Sequence, residues 1–200
     1  SVHHTLVVNL FLQNGGIPAS FNPYFPVEFT YHYGFHLLAA LFSAATGASA
    51  EQGVLWFGQA LNAAVALAVY RLGRAAWRDW RAAALAALLV AFTFQMPAYY
   101  VTWGRYTLLT GLAVLPAAMA AALELSRKPQ RLELSIRLAV LTAGVALSHY
   151  TALLLLLLFL LVLGVGLLFR RAWRGLWTTA AASLLGALLA VPWLLRSWML

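Results

Sequence analysis

The sequence predicts an all-α, polytopic transmembrane helix bundle of about six spans plus outer interfacial juxtamembrane helices. Three observations carry this expectation. With 64% hydrophobic and 9% charged residues and a mean hydropathy of +0.83, the chain is too apolar for a soluble domain, which carries about 25% charged residues. Six apolar stretches reach or approach the roughly 20 residues that a spanning helix needs. Eleven of the thirteen Lys and Arg residues fall into three clusters between those stretches: Arg71, Arg74, Arg78 and Arg81; Arg127, Lys128, Arg131 and Arg137; and Arg170, Arg171 and Arg174. Short loops rich in Lys and Arg stay on the cytoplasmic side, so the clusters mark the inner face at three points. The polar segments between them, Ser1 to His36, Met96 to Tyr106 and Ser148 to Thr151, then face outside. They hold all five His residues together with Trp103 and Arg105.

The elements follow in order, with an outer loop and its interfacial helices in residues 1–52 and the helix bundle in 53–200. Val2 to Gln13 carries apolar residues at Val2, Leu6 and Leu10, a helical stripe ended by Asn14, Gly15, Gly16 and Pro18, and reads as an interfacial helix. Pro18 to Tyr33 holds three of the seven prolines and six aromatics, the composition of a structured loop. Phe35 to Thr46 is apolar but too short to span, and Gly47 is placed to end it as a left-handed cap. A span there would move the first Arg cluster outside, so this helix is expected to lie in, or dip into, the outer interface. The spans are Gly53 to Tyr70, Ala82 to Met96, Thr107 to Leu125, Leu132 to Ser148, Tyr150 to Phe169 and Leu176 to Leu195. The continuous apolar run from Leu138 to Phe169 is divided near Ser148, His149 and Tyr150, because a single helix would set the second and third clusters on opposite sides. The chain begins at Ser1 without Met, and its last apolar stretch runs almost to Leu200. Both ends read as cuts through a longer protein.

The net charge of +8 does not point to nucleic acid, because the basic residues follow topology and anionic membrane lipids, and no basic groove with stacking aromatics lies along one element. Absence of cysteine excludes disulfides, thiolate metal sites and a Cys nucleophile.

The candidates for chemistry all lie outside. His3 and His4 can contact a phosphate or a metal, or anchor and cap a helix; adjacent helical residues diverge, so at most one faces a given site. Glu28, His32 and His36 are spaced by four, a set that suits a divalent zinc or manganese ion if helical; Gly34 and the preceding loop argue against continuous helix, and a hydrogen-bonding or packing role is the alternative. Trp103, Gly104, Arg105 and Tyr106 stand out further. Arg105 and Arg196 are the only basic residues outside the clusters, and a guanidinium at membrane depth or its outer interface suits a phosphate or pyrophosphate through its planar fork. Pro97, Tyr99, Tyr100 and Gly104 imply broken backbone, tolerated at membrane depth where it lines a cavity. The alternative is an Arg snorkelling among interface aromatics, the role expected of Arg196. His149 with Tyr150 interrupts an apolar run at an outer turn, either lining the same cavity as Arg105 and His36 or capping a helix hairpin.

The succession of His4 on a Leu-rich helix, Asn14-Gly15-Gly16-Ile17-Pro18, then Tyr31-His32-Tyr33-Gly34-Phe35-His36 running into an apolar helix that ends at Gly47, resembles the first outer loop of polytopic GT-C-type membrane glycosyltransferases, in particular their uncharacterised prokaryotic relatives. Trp103-Gly104-Arg105-Tyr106 and the His149 turn are similar to that group as well. The resemblance implies sugar transfer from a polyprenyl-phosphate-linked donor on the outer face of a prokaryotic plasma membrane, part of cell-envelope chemistry. It also implies a catalytic carboxylate early in the first outer loop. That acid is expected upstream of Ser1 or, failing that, at Glu28, with His36 and His149 orienting donor or acceptor. Arg105, Trp103, Tyr106, His32 and His4 are the expected substrate-binding residues. The alternative function is a multi-pass transporter or flippase-like protein, against which stands the scarcity of mid-span polar residues, chiefly Gln59, Asn62 and Thr142. A purely structural membrane subunit leaves the outer His and aromatic enrichment without a reason.

Overall fold

The computed structural model describes residues 2–199, and these are helical throughout apart from turns and one isolated bridge between Ser20 and Glu28. Two short helices come first, α1 (Val2–Asn14) and α2 (Gly34–Thr46), separated by the proline-aromatic loop. They are followed by α3 (Ala50–Trp77), α4 (Trp80–Phe92), the five-residue α5 (Ala98–Thr102), α6 (Tyr106–Arg127), α7 (Leu132–Ser148), α8 (Tyr150–Phe169) and α9 (Trp173–Met199).

Local chemistry sets most of these boundaries. Gly47 ends α2 with φ 71°, the left-handed conformation that glycine adopts without a Cβ clash. Ser49 then opens α3 through a capping box, its hydroxyl accepting from the Gln52 N–H while the Gln52 side chain accepts from the Ser49 N–H. Asp79 caps α4 through the Arg81 N–H. His149 ends α7 in extended conformation and caps α8, accepting from the Thr151 N–H at 3.2 Å. The division of the long apolar run therefore falls at the polar residues that interrupt it.

All three basic clusters meet at one end of the bundle. Arg71 and Arg137 both reach Glu124, at 3.7 and 3.6 Å, the Arg127 guanidinium donates to the Ala75 carbonyl, and Gly175 at the start of α9 packs against Ser126. The five histidines gather at the other end, where His4 reaches Gly104 and His32 touches His149. Six passes of chain connect the arginine end to the histidine end. Four helices, α3, α6, α8 and α9 over Trp173–Ser197, are long and apolar enough to cross a membrane, so the protein is a membrane protein by length and composition. The expected span Ala82 to Met96 is shorter than the sequence suggests. The helix stops at Phe92 after 13 residues, about 20 Å at 1.5 Å per residue, and the bend at 93–97 with α5 completes the pass. This is the broken backbone that Pro97 and Gly104 foreshadow.

The closest helix neighbours are α3 with α6 and α4, and α7 with α6 and α9. Small residues allow the approach: a Cβ on Gly186 of α9 would collide with the Ala139 carbonyl and lie 2.7 Å from the Thr142 Cβ. Helix α8 presents exposed leucines at 154, 155, 157, 158 and 161 and has a mean hydropathy of 3.2, the profile of a lipid-facing helix. Helices α1 and α2 are integrated rather than peripheral. Val7, Val8, Phe11, Phe35 and Ala39 share one buried core with Val54, Leu61, Tyr106 and Leu109, which fixes the histidine end to the bundle.

Candidate functional site

His4 sits in the first turn of α1 and His36 in the first turn of α2, and the packing of those helices brings their rings face to face at 5.1 Å. Three contacts run in line. His36 Nδ1 lies 3.0 Å from the His32 carbonyl, His36 Nε2 lies 2.9 Å from His4 Nδ1, and His4 Nε2 lies 2.8 Å from the Gly104 carbonyl. A carbonyl only accepts, so both outer nitrogens must donate, and the contact between the rings needs a further proton. Three protons on two imidazoles make the pair singly positive.

Burial opposes that charge. The rings are enclosed by His3, Tyr31, His32, Phe35 and Tyr106, with no carboxylate among them. Desolvation, then the neighbouring His charges, holds His36 well below its ordinary range, and desolvation likewise brings His4 down to about 4. At neutral pH the pair therefore holds two protons, and one of its three contacts is not a hydrogen bond.

The pair pins the turn that carries Arg105. Gly104 has φ 69°, a conformation glycine supplies without strain, and its carbonyl points back at His4. Arg105 follows as the N-terminal cap of α6, exposed, with its guanidinium 4.2 Å from the centre of the Trp103 ring. All five carboxylates are described, and none lies within ion-pair distance of Arg105. His149 stands nearby, held by His32 at 5.3 Å and by Tyr150 at 4.7 Å between ring centres. Burial first, then the charges of His32 and Arg105, lowers its pKa to about 4. Because its Nδ1 accepts from Thr151, the neutral ring carries its proton on Nε2, which is free to donate. Beside it, a cavity of about 480 Å³ opens between the outer loop, the first residue of α8 and the end of α9, with Thr30, His32, Tyr150 and Ser197 as its polar lining and Val191, Leu194 and Leu195 as its apolar one.

The expected site residues thus separate into two groups. Arg105, Trp103, His32 and His149 are accessible and adjacent. His4, His36 and Tyr106 are buried, at 5%, 0% and 2% exposure, which corrects their expected roles: they lie inside the protein, beneath the turn that carries Arg105. Tyr106 stacks on Phe35 at 5.0 Å over Gly58. The shared cavity wall expected of His36 and His149 becomes an indirect link through His32, whose carbonyl accepts from one and whose ring touches the other. Glu28 is exposed in the loop, opposite Ser20, and does not join the histidines. Among the described residues no group of three or more His, Asp or Glu is arranged to hold a metal ion, so the Glu28, His32 and His36 set is not assembled.

Two further residues at this end lie outside every motif of the sequence. Glu51, in the first turn of α3, lines a cavity of about 570 Å³ with Thr5, Asn9 and Tyr24. Its signal was present, since an acid just after the capping serine lies on the outer side of the charge pattern. Trp193 packs against Tyr33 at 4.6 Å and Phe29 at 5.8 Å, a partnership across the length of the chain that no local pattern announces. Arg196, expected to snorkel, instead donates to the Ala19 carbonyl at 3.0 Å and lies over Trp193 at 5.4 Å, fastening the outer loop to α9.

No curated protein and no solved structure matches the chain. Residues 1–200 match the family of unknown function DUF6541, and the chain belongs to that family.

Proposed function

We propose that the histidine end is the donor site of a GT-C-type membrane glycosyltransferase acting on a polyprenyl-phosphate-linked sugar at the outer face of a prokaryotic plasma membrane. The observation that carries this reading is Arg105: an exposed guanidinium with no carboxylate partner, oriented by Trp103, on a turn that the buried His4 and His36 hold in place. Such a group favours a phosphate, which it binds through two parallel charge-assisted hydrogen bonds. The largely apolar cavity at the end of α9, with the outer-loop His32 and Tyr150 at its polar side, suits the start of the isoprenoid chain that follows that phosphate.

The chemistry asks little beyond placement. A carboxylate takes the proton of the acceptor hydroxyl as its oxygen forms a bond to the anomeric carbon, and the lipid phosphate leaves with the electron pair of the broken C–O bond. Arg105 stabilises the charge that grows on the leaving phosphate, and the His149 Nε2–H donates to the donor. Glu28 and Glu51 are the carboxylates at this end. Both are exposed; Glu51 borders the cavity it shares with Thr5, Asn9 and Tyr24 and is the proposed base.

The test is sugar transfer in proteoliposomes containing a polyprenyl-phosphate sugar, with the wild-type chain beside Arg105→Ala, Arg105→Lys and Glu51→Gln. Loss of transfer in Arg105→Ala, partial loss in Arg105→Lys, and a drop of about 10²- to 10⁴-fold in Glu51→Gln are expected. Unchanged transfer in Arg105→Ala refutes the donor site.

A further inference from the structure

The arginine end is more than a topology signal. Positive-inside statistics require cations on one side of a membrane, but not that they converge on one cavity. Here they do. A cavity of about 530 Å³ between the ends of α3, α6 and α7 is lined by Arg74, Arg78, Arg127, Lys128, Arg131 and Arg137. Its carboxylates are Glu124 and Glu133, so six cations against two anions leave an excess of four positive charges.

The partners are already distributed. Glu124 is shared by Arg71 and Arg137, Glu133 pairs with Arg131 at 3.2 Å, and Arg127 donates to the Ala75 carbonyl, joining α6 to α3. Arg74, Arg78 and Lys128 have no carboxylate within ion-pair distance. Arg78 also ends α3 at φ 60°, a left-handed position that usually falls to glycine and that a long side chain occupies at a steric cost. Like charges held together around a cavity repel one another unless an anion sits among them.

We propose that this cavity binds a phosphate-bearing anion, with Arg74, Arg78 and Lys128 as its principal ligands. Basic pockets between transmembrane helices at the cytoplasmic side suit phosphorylated lipid headgroups, and a soluble diphosphate offers the same chemistry. The site lies at the end of the bundle opposite Arg105 and stands independently of the transferase reading.

The test uses the full chain in nanodiscs, with lipid-dependent thermal stabilisation and native mass spectrometry as readouts. Nanodiscs of phosphatidylcholine alone are compared with nanodiscs containing phosphatidylglycerol or cardiolipin, and inorganic pyrophosphate is titrated into each. The triple variant Arg74→Gln, Arg78→Gln, Lys128→Gln removes the cavity cations. The triple variant Arg170→Gln, Arg171→Gln, Arg174→Gln removes the same charge outside the cavity. The expected result is stabilisation of the wild type by anionic lipid or by pyrophosphate, weakened at least tenfold in the cavity variant and retained in the control. Competition by pyrophosphate against lipid assigns a soluble phosphate source, and lipid binding without competition assigns a headgroup. Equal loss in both triple variants, or no binding of either probe, overturns the proposal. Should the cavity triple fail to fold in phosphatidylcholine, the single variants Arg78→Gln and Lys128→Gln carry the same comparison.

Discussion

Replacing His4 by Phe separates the buried pair's structural role from every ligand-binding role assigned to this end. The substitution keeps a ring between Phe35 and Tyr106, whose centres lie 5.6 and 5.4 Å away, so little apolar contact is lost. The polar contacts go: the His36 Nε2 and the Gly104 carbonyl lose their partner in a place where His36 is fully buried. A buried hydrogen bond contributes about 1 kcal/mol and an orphaned buried polar group costs about 1–3 kcal/mol. At neutral pH the pair makes two of its three bonds, so one or two of the lost contacts were real, and the expected destabilisation is about 2–5 kcal/mol. Two companion variants set the scale. His149→Phe removes only the cap on Thr151 and should cost about 1 kcal/mol; His3→Phe, at an exposed position, should fall within about 0.5 kcal/mol of wild type. Denaturant unfolding in detergent, followed by tryptophan fluorescence, measures all three. A His4→Phe protein no less stable than His3→Phe would refute the buried-pair argument and the claim that it holds the Arg105 turn.

Other consequences follow from the same structure. Burial brings the pKa of both His4 and His149 down to about 4 from an ordinary value of 6.5, so the unfolded chain binds protons the folded one does not; stability is full above about pH 6.5 and falls toward pH 4, by up to about 1.4 kcal/mol per pH unit for buried His4 and by less for His149, whose exposure to solvent screens its charge. Melting curves across that window should show a shallower fall for His4→Phe than for wild type. Gly186→Ala drives a methyl into the Ala139 carbonyl and Thr142 and should destabilise by about 1–3 kcal/mol, whereas Gly166→Ala, with open space around it, should be neutral or stabilising; equal melting temperatures would contradict the α7 and α9 contact. Ala45→Cys and Gln130→Cys, exposed at opposite ends of this cysteine-free chain, should react with an impermeant thiol reagent from opposite sides of the membrane. Reaction from one side only would undo the two-ended arrangement.

Much of the fold is legible in the sequence because its physics is local. Hydropathy and the three Arg clusters give the passes and their alternation, and Gly47 and His149 each mark a boundary through a conformation or a cap that the residue itself supplies. Where the reading falls short, the determinant is tertiary. The Arg71 and Arg74 cluster reads as a loop but lies on α3, which continues to Trp77, because its helical hydrogen bonds persist past the apolar stretch. His4 and His36 read as site residues since buried imidazoles and ligand-facing imidazoles look alike in sequence; the packing of α1 on α2, with Phe35 and Tyr106 closing over the rings, decides between them. Tyr106 adjoins Arg105 in the sequence, yet the cap at Arg105 turns one side chain out and the next into the core. The cavity at Glu51 depends on Tyr24, brought there by a loop that the sequence identifies only as structured.

Direct binding of undecaprenyl phosphate to the purified chain in phosphatidylcholine nanodiscs tests the donor-site reading at its centre, without requiring the sugar or the acceptor. Wild type should bind, Arg105→Ala should bind at least about tenfold more weakly, in line with loss of a charge-assisted pair of about 1.5–3 kcal/mol, and Arg105→Lys should fall between them because the charge remains and the fork does not. Binding that is equal in all three proteins, or lost only when Arg74, Arg78 and Lys128 at the opposite end are neutralised, would contradict it.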